Sequence, residues 1–296
     1  MYKMSMYMFY AAFGANIIAV MLYLVFAMMR RRVRVVRFAT STGHVAGRQV
    51  VATSVPSGDT GVSATIFSIF SLVFLTFSLV FRTIVTGYGP FSNMFEFSLA
   101  FAWGIMLAYL YWEFRYRVRM LGVVVMPWAL AMMAYAAFVP PAEVQPLVPA
   151  LQNNLLLSVH VAVAIIAYGT FAVAFGAALL YLWRRNREDS MLPSAEALDD
   201  LGYRAVMMGF PMMFLVIMLG ALWADVAWGS YWSWDPKETA SLVTWLIYGG
   251  YLHARVMRGW RGTRSAVLLL IGFAATLFTY FGNYFFGGLH SYGGLG

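Results

Sequence analysis

The chain has 296 residues, 62% of them hydrophobic and 11% charged, which leaves too few polar groups to cover a soluble domain of that size. Its net charge of +8 is gathered in arginine clusters between apolar runs, the pattern that sets topology in a bilayer, and a nucleic-acid partner is excluded. There is no cysteine, so the chain carries no disulfide, no thiolate metal ligand and no thiol nucleophile, and any thiol chemistry must use a partner's sulfur.

A helix needs about 20 apolar residues to cross the hydrocarbon core, and eight runs meet that requirement, near 8–29, 64–86, 94–112, 121–139, 155–183, 205–226, 241–257 and 265–287. The expected fold is therefore all-α, a polytopic membrane bundle of about eight transmembrane helices. The first run is too long for a signal-peptide core and lacks a small-residue cleavage site, so it reads as a span that is retained. Residues 1–63 comprise this span and a long basic connection opening R-R-R-V-R-V-V-R. That connection is polar and reads as partly disordered, and its His44 has no ligand context. Residues 64–296 hold the remaining spans.

Orientation follows from the basic residues. Of 20 Lys and Arg, 17 lie in the runs at 30–48, 115–119, 184–204 and 255–264, all on one side of the alternating spans. The other side holds Lys3 and Lys237, and Arg82 lies within a span. The basic connections are expected in the cytoplasm and both termini on the outer face. Also outside are G-Y-G-P-F-S-N before the third span, the Pro-rich connection from Pro140 to Asn154, and the connection between the sixth and seventh spans.

That last connection, residues 223–240, is the most distinctive stretch. Trp223, Trp228, Tyr231, Trp232 and Trp234 fall within twelve residues, followed by Asp235, Pro236, Lys237 and Glu238. Indoles settle at membrane boundaries, which accounts for one or two of them; a platform for a large planar ligand accounts for the whole set. Asp235 and Glu238 are weak general-base candidates and better suited to fixing the loop or capping the next helix. Histidine depth adds to this. His160 lies roughly 7 Å below the outer surface at 1.5 Å per residue, and His290 follows the eighth span on the same side, so both are level with the aromatic loop. His253 lies on the order of 18–20 Å deep. A lone membrane histidine also hydrogen-bonds across helix interfaces, and for His253 that account stands equally. For His160 and His290, two imidazoles beside a flat apolar slot suit a bis-histidine haem better than zinc, given no cysteine and few carboxylates at that level. The nearby charges Arg82, Glu96, Asp225, Asp235, Lys237 and Glu238 are candidates for mutual ion pairs, and Arg82 also for a haem propionate.

The run W-G-S-Y-W-S-W-D-P-K-E-T-A-S-L-V-T-W, Trp228 to Trp245, resembles the tryptophan-rich WWD signature of haem-handling membrane proteins. Within that group it is most similar to the CcsA (ResC) family, the membrane subunit of the system II cytochrome c synthase. Gly89 to Phe97, G-P-F-S-N-M-F-E-F, resembles that family's connection before the third span, and H-S-Y from His290 its terminal histidine motif. The likeness covers roughly residues 64–296. The system I haem chaperone CcmC is similar through the tryptophans but typically lacks D-P-K-E, and the system I synthase subunit CcmF shares W-D-P but is about twice as long.

The resemblance implies that haem b passes outward and is attached through thioether bonds to the C-x-x-C-H motif of apocytochrome c on the outer face, by a haem lyase acting with a ResB (CcsB)-type membrane subunit. It implies that His160 and His290 ligate haem iron at the outer site, and that His253 supplies one ligand of an intramembrane haem whose other ligand comes from the partner. Trp223, Trp228, Tyr231, Trp232 and Trp234 would bind haem, with Trp228, Trp232, Trp234 and Asp235 positioning it. A thiol-reducing partner is compatible with this chemistry. The membrane would be the bacterial plasma membrane, or the thylakoid in a plastid. Two rival classes are a haem transporter or chaperone that makes no bond, and a b-type electron-transfer protein, against which the single deep His253 argues.

Overall fold

The computed structural model describes residues 1–29, 57–144, 151, 154–185, 192–282 and 286–290. The basic connection with His44, and the Ser and Tyr after His290, lie outside the described residues. The regular elements are helices α1 (Tyr2–Met29), α2 (Ser57–Thr86), α3 (Met94–Tyr116), α4 (Gly122–Phe138), α5 (Asn154–Arg184), α6 (Ala195–Trp228), α7 (Pro236–Arg258) and α8 (Thr263–Phe281), with one 3-10 turn, Arg119–Leu121, before α4. Each expected span is met by one helix, and the protein is a multi-pass membrane protein.

By length and composition seven of the eight are suited to crossing a membrane, and α7 is the exception. It carries Lys237, Glu238, Arg255 and Arg258 on 23 residues, so its polarity is too high. Its buried side carries Thr244, Tyr248, Tyr251 and Arg255. Thr244 shares a 3.0 Å hydrogen bond with Thr279 of α8, and Tyr248 stacks on Phe171 of α5 at 3.7 Å between ring centres. Between helices in lipid, packing and such hydrogen bonds replace the hydrophobic drive.

Caps as well as hydrophobicity set the helix ends. Asn93 accepts from Glu96 N at 3.0 Å to start α3. Ser194 accepts from Ala197 N at 3.1 Å to start α6, ten residues before its apolar run. The eighth run was expected to reach 287, but α8 ends at Phe281 and frees the following segment to turn back.

α1 and α2 run antiparallel. Ser5 Oγ donates to Ser78 O at 3.0 Å near one end, and Tyr23 Oη to Thr65 Oγ1 at 3.4 Å near the other. At the first end, which also carries the aromatic loop, the α1 residue Tyr2 and the α2 residue Arg82 both donate to Ala142 O. At the opposite end Glu113, 3% exposed, accepts from Thr65 Oγ1 at 2.6 Å, from Tyr109 Oη and from Arg119 Nε at 3.1 Å. Asp199 there pairs with Arg255 at 2.7 Å and accepts from Gly262 N at 3.0 Å, tying α6, α7 and the start of α8. A buried carboxylate is tolerable only with such partners. α3 reaches α8 through Phe101 stacked on Tyr280, 5.0 Å between centres, and through Ser98 Oγ to Tyr280 Oη at 2.8 Å.

Candidate functional site

The aromatic connection begins where Gly229, at φ 74°, closes α6 by donating its N–H to Asp225 O at 2.8 Å, a left-handed C-cap that glycine adopts without a Cβ clash. Trp234 also takes a left-handed backbone, φ 60°, which for a non-glycine costs about 1–2 kcal/mol and must be held by its surroundings. The clamp is the capping box of α7. Asp235 accepts from Lys237 N at 2.9 Å, while Glu238 reaches back to accept from Asp235 N at 3.2 Å and Ser233 N at 2.9 Å. Pro236 at the first helical position has no N–H to orphan.

Asp235 does more than cap. Its Oδ2 accepts from Leu289 N at 2.7 Å, and its Oδ1 lies 2.8 Å from His290 Nδ1. The segment after α8 is thereby fastened to the aromatic loop, closely enough that a Cβ on Gly288 would collide with Asp235 Oδ2. Burial opposes the charge on Asp235, yet the bonds from His290, Lys237 N and Leu289 N outweigh it and hold the carboxyl down at about 2. Burial pushes His290 below its ordinary value against the upward pull of Asp235, so the ring is neutral at pH 7. A neutral imidazole that donates through Nδ1 keeps Nε2 as its base, the tautomer in which a carboxylate orients a metal-ligating histidine.

His290 lines one cavity with His160, between α3, α5, α6, α7 and the aromatic loop. The space between its walls, open mouth included, is about 1060 Å³. His160 projects from α5 onto Gly220 of α6, where a Cβ would meet its Cε1 at 2.9 Å, so the glycine makes room for the ring. Its buried Nδ1 has no hydrogen-bond partner. Phe97 and Phe101 of α3, Tyr168 of α5 and Tyr280 of α8 supply apolar wall. Trp223, 2% exposed, is set by a small apolar cluster with Ala100, Leu157, Val161 and Ile165.

The five loop aromatics divide. Trp223, Tyr231 and Trp232 line the cavity. Trp228 stands behind, edge-on to Trp223 at 4.7 Å and to His290 at 4.8 Å. Trp234 is 69% exposed and meets Trp232 edge-on at 5.6 Å. His253 is exposed on α7 and does not join the cavity. Arg82 does not join it either, since it bonds Glu96 and Ala142 O and lies 4.8 Å from the centre of the Phe95 ring. Sequence reasoning missed the α3 wall and Gly220. The α3 wall had a signal, in Phe97 within the G-P-F-S-N-M-F-E-F segment; Gly220, one glycine among 26, had none.

An apolar slot with an imidazole on one wall, and a carboxylate-oriented imidazole on another, fits a flat ligand with a metal at its centre.

The chain belongs to the cytochrome C assembly protein family, whose profile matches residues 91–290. It is 36% identical over 241 residues to the cytochrome c biogenesis protein CcsA of Guillardia theta, covering 72% of this chain and 80% of that one. The Microcystis aeruginosa CcsA is 35% identical over 292 residues, covering 80% of this chain and 87% of the relative. The solved cytochrome c haem lyase CcmF shares the fold, with TM-score 0.65 and 17% identity over 95% of this chain, which spans 46% of that longer protein.

Proposed function

We propose that the protein acts in cytochrome c assembly, holding haem b in the cavity between His160 and His290 while it is joined to apocytochrome c. The observation that carries this reading is the convergence of two neutral-capable imidazoles, from α5 and from the segment after α8, on one slot roofed by Tyr231 and Trp232. Haem is here a substrate. Each thiol of a C-x-x-C-H motif adds across one vinyl group: the sulfur forms a bond to one vinyl carbon and the proton goes to the other, with no net electron transfer. Among the described residues, the carboxylates Asp235 and Glu238 are occupied as loop clamps rather than free to act as bases. Its contribution is positioning, worth on the order of 100-fold in rate per ångström of misplacement.

The excess of arginine on the opposite connections supports an outward-facing cavity and a cytoplasmic basic side, in a bacterial plasma membrane or a thylakoid. His253, exposed on α7, is available to a haem shared with a ResB-type subunit, which would give the second ligand. A lyase acting in such a complex is the activity that best uses both sites.

The test is to replace His160 or His290 with Ala in the full chain, coexpressed with its partner, and record haem spectra. Each variant should lose one axial ligand, and added imidazole should partly restore the spectrum by filling the vacancy. Unchanged spectra in both variants would show that these histidines are structural.

A further inference from the structure

The cavity contains a cation that the reading above leaves without a task. Lys237, in the first turn of α7, lines the slot together with His160 and His290. Its Nζ lies 5.7 Å from the centre of the Phe97 ring, and it forms no ion pair among the described residues. Asp235 favours the ammonium through space without pairing with it, and the hydrogen bonds of the neighbouring carboxylates go elsewhere. Asp235 serves Lys237 N, Leu289 N and His290, and Glu238 serves the loop amides. The cation–π contact with Phe97 offsets only part of the cost of keeping an ammonium against mostly apolar walls. Neither imidazole supplies negative charge. An anionic group on the cavity's own ligand would.

We propose that Lys237 binds a carboxylate on the edge of the flat ligand held between His160 and His290, and so fixes its rotation in the plane. This rests on the haem reading and adds a task that the two histidines cannot perform. A pair of axial ligands defines the iron position and the plane of the macrocycle, but leaves the ring free to turn about the axis joining them. A charged contact at the rim removes that freedom. The propionates of haem lie on the edge away from the vinyls, so anchoring a propionate at Lys237 directs the vinyl edge to the other side of the slot. Lysine acts here as a point charge, which tolerates small changes in carboxylate angle as substrate enters and product leaves.

The experiment titrates the purified full chain, with its partner, against iron protoporphyrin and its dimethyl ester, which has the same ring, iron and vinyls without the charge. The unmodified protein should bind the diacid about ten- to a hundredfold more tightly than the ester, the range of a hydrogen bond to a charged group. Lys237→Gln should bring that ratio close to one by weakening the diacid alone, Lys237→Arg should keep most of it, and Lys237→Glu should invert it. Equal discrimination in the unmodified protein and in Lys237→Gln would overturn the assignment of Lys237 while leaving haem binding intact. Binding of neither porphyrin by the unmodified protein would overturn the haem reading and this inference with it.

Discussion

Two buried acid–base contacts stand at the loop end of the bundle, Arg82–Glu96 and Asp235–His290, and they differ in what they leave over. Both members of the first are 0% exposed. Glu96 spends its second oxygen on Ser92 N and Ser92 Oγ, each at 2.7 Å, and Arg82 reaches Ala142 O at 2.7 Å. These bonds join α2, α3 and the segment after α4, and the one group they leave over, Arg82 Nη1, is sealed in the protein rather than turned to the cavity. In the second contact the carboxylate is equally covered, at 1%, but the imidazole is 13% exposed and borders the cavity. One contact closes a joint. The other aims a ring and spares a nitrogen.

Breaking the closed contact should have the largest effect on stability. Arg82→Leu strands Glu96 without its counter-charge and should destabilise the protein by about 3–5 kcal/mol. Thermal unfolding in detergent would register this as a lower midpoint, while the haem spectrum per folded molecule stays the same. A normal midpoint with an altered spectrum would give Arg82 the ligand role that its geometry denies it.

The open contact should behave in the opposite way. Asp235→Ala should weaken haem binding about 10–100-fold, the usual effect of losing the partner that orients a ligating histidine, with Asp235→Asn milder because an amide oxygen still accepts from Nδ1 and still caps α7. Acidity sharpens the comparison. Asp235, depressed to about 2, contributes fully above the ordinary carboxyl range and loses its contribution only as pH falls through about 2. His290, also lowered, stays neutral and ligating below the ordinary histidine value, and fails only at the lower pH where it protonates. Haem absorbance followed from pH 7 to 4 should therefore persist past 6.5, and a loss centred at or above 6.5 would contradict the buried, carboxylate-held ring.

The smallest effects separate the loop aromatics. Trp234→Phe alters an exposed ring outside the cavity and should change covalent cytochrome formed per inserted protein by no more than about twofold, the scale of about 0.5 kcal/mol typical of surface changes. Trp232→Ala removes cavity roof and should cost markedly more. Equal losses at both positions would mean that the rings act as one anchor rather than as wall and support.

Much of this was legible in the sequence, and the exceptions have physical reasons. Seven of the eight helices are as apolar as a bilayer demands of about 20 residues whatever the packing, and α7 departs from that through its charged ends. Asp235, Pro236 and Glu238 announced a capping box by type and spacing alone. His160 and His290 could be placed at one level because rise per residue is fixed in a helix. The division of Trp232 from Trp234 was not legible, since an irregular loop has no period from which to infer facing, and that of Trp223 from Trp228 depends on α6 running to Trp228, two residues past its apolar run. Nor was the partner of Arg82 legible, or that Lys237 makes no ion pair among the described residues. A pairing between side chains on different helices depends on register, which apolar content does not encode.

The fastening of the 286–290 segment to Asp235 also orders events in time. His290 is 55 residues downstream of Asp235, so at about 5–20 residues per second of synthesis it appears several seconds after the loop that receives it. Until then the slot has one imidazole, an undocked wall and no carboxylate-held ligand. If haem is held as proposed, a growing chain has only His160 to offer it until His290 is made, and the two-ligand state waits for that segment to dock on Asp235.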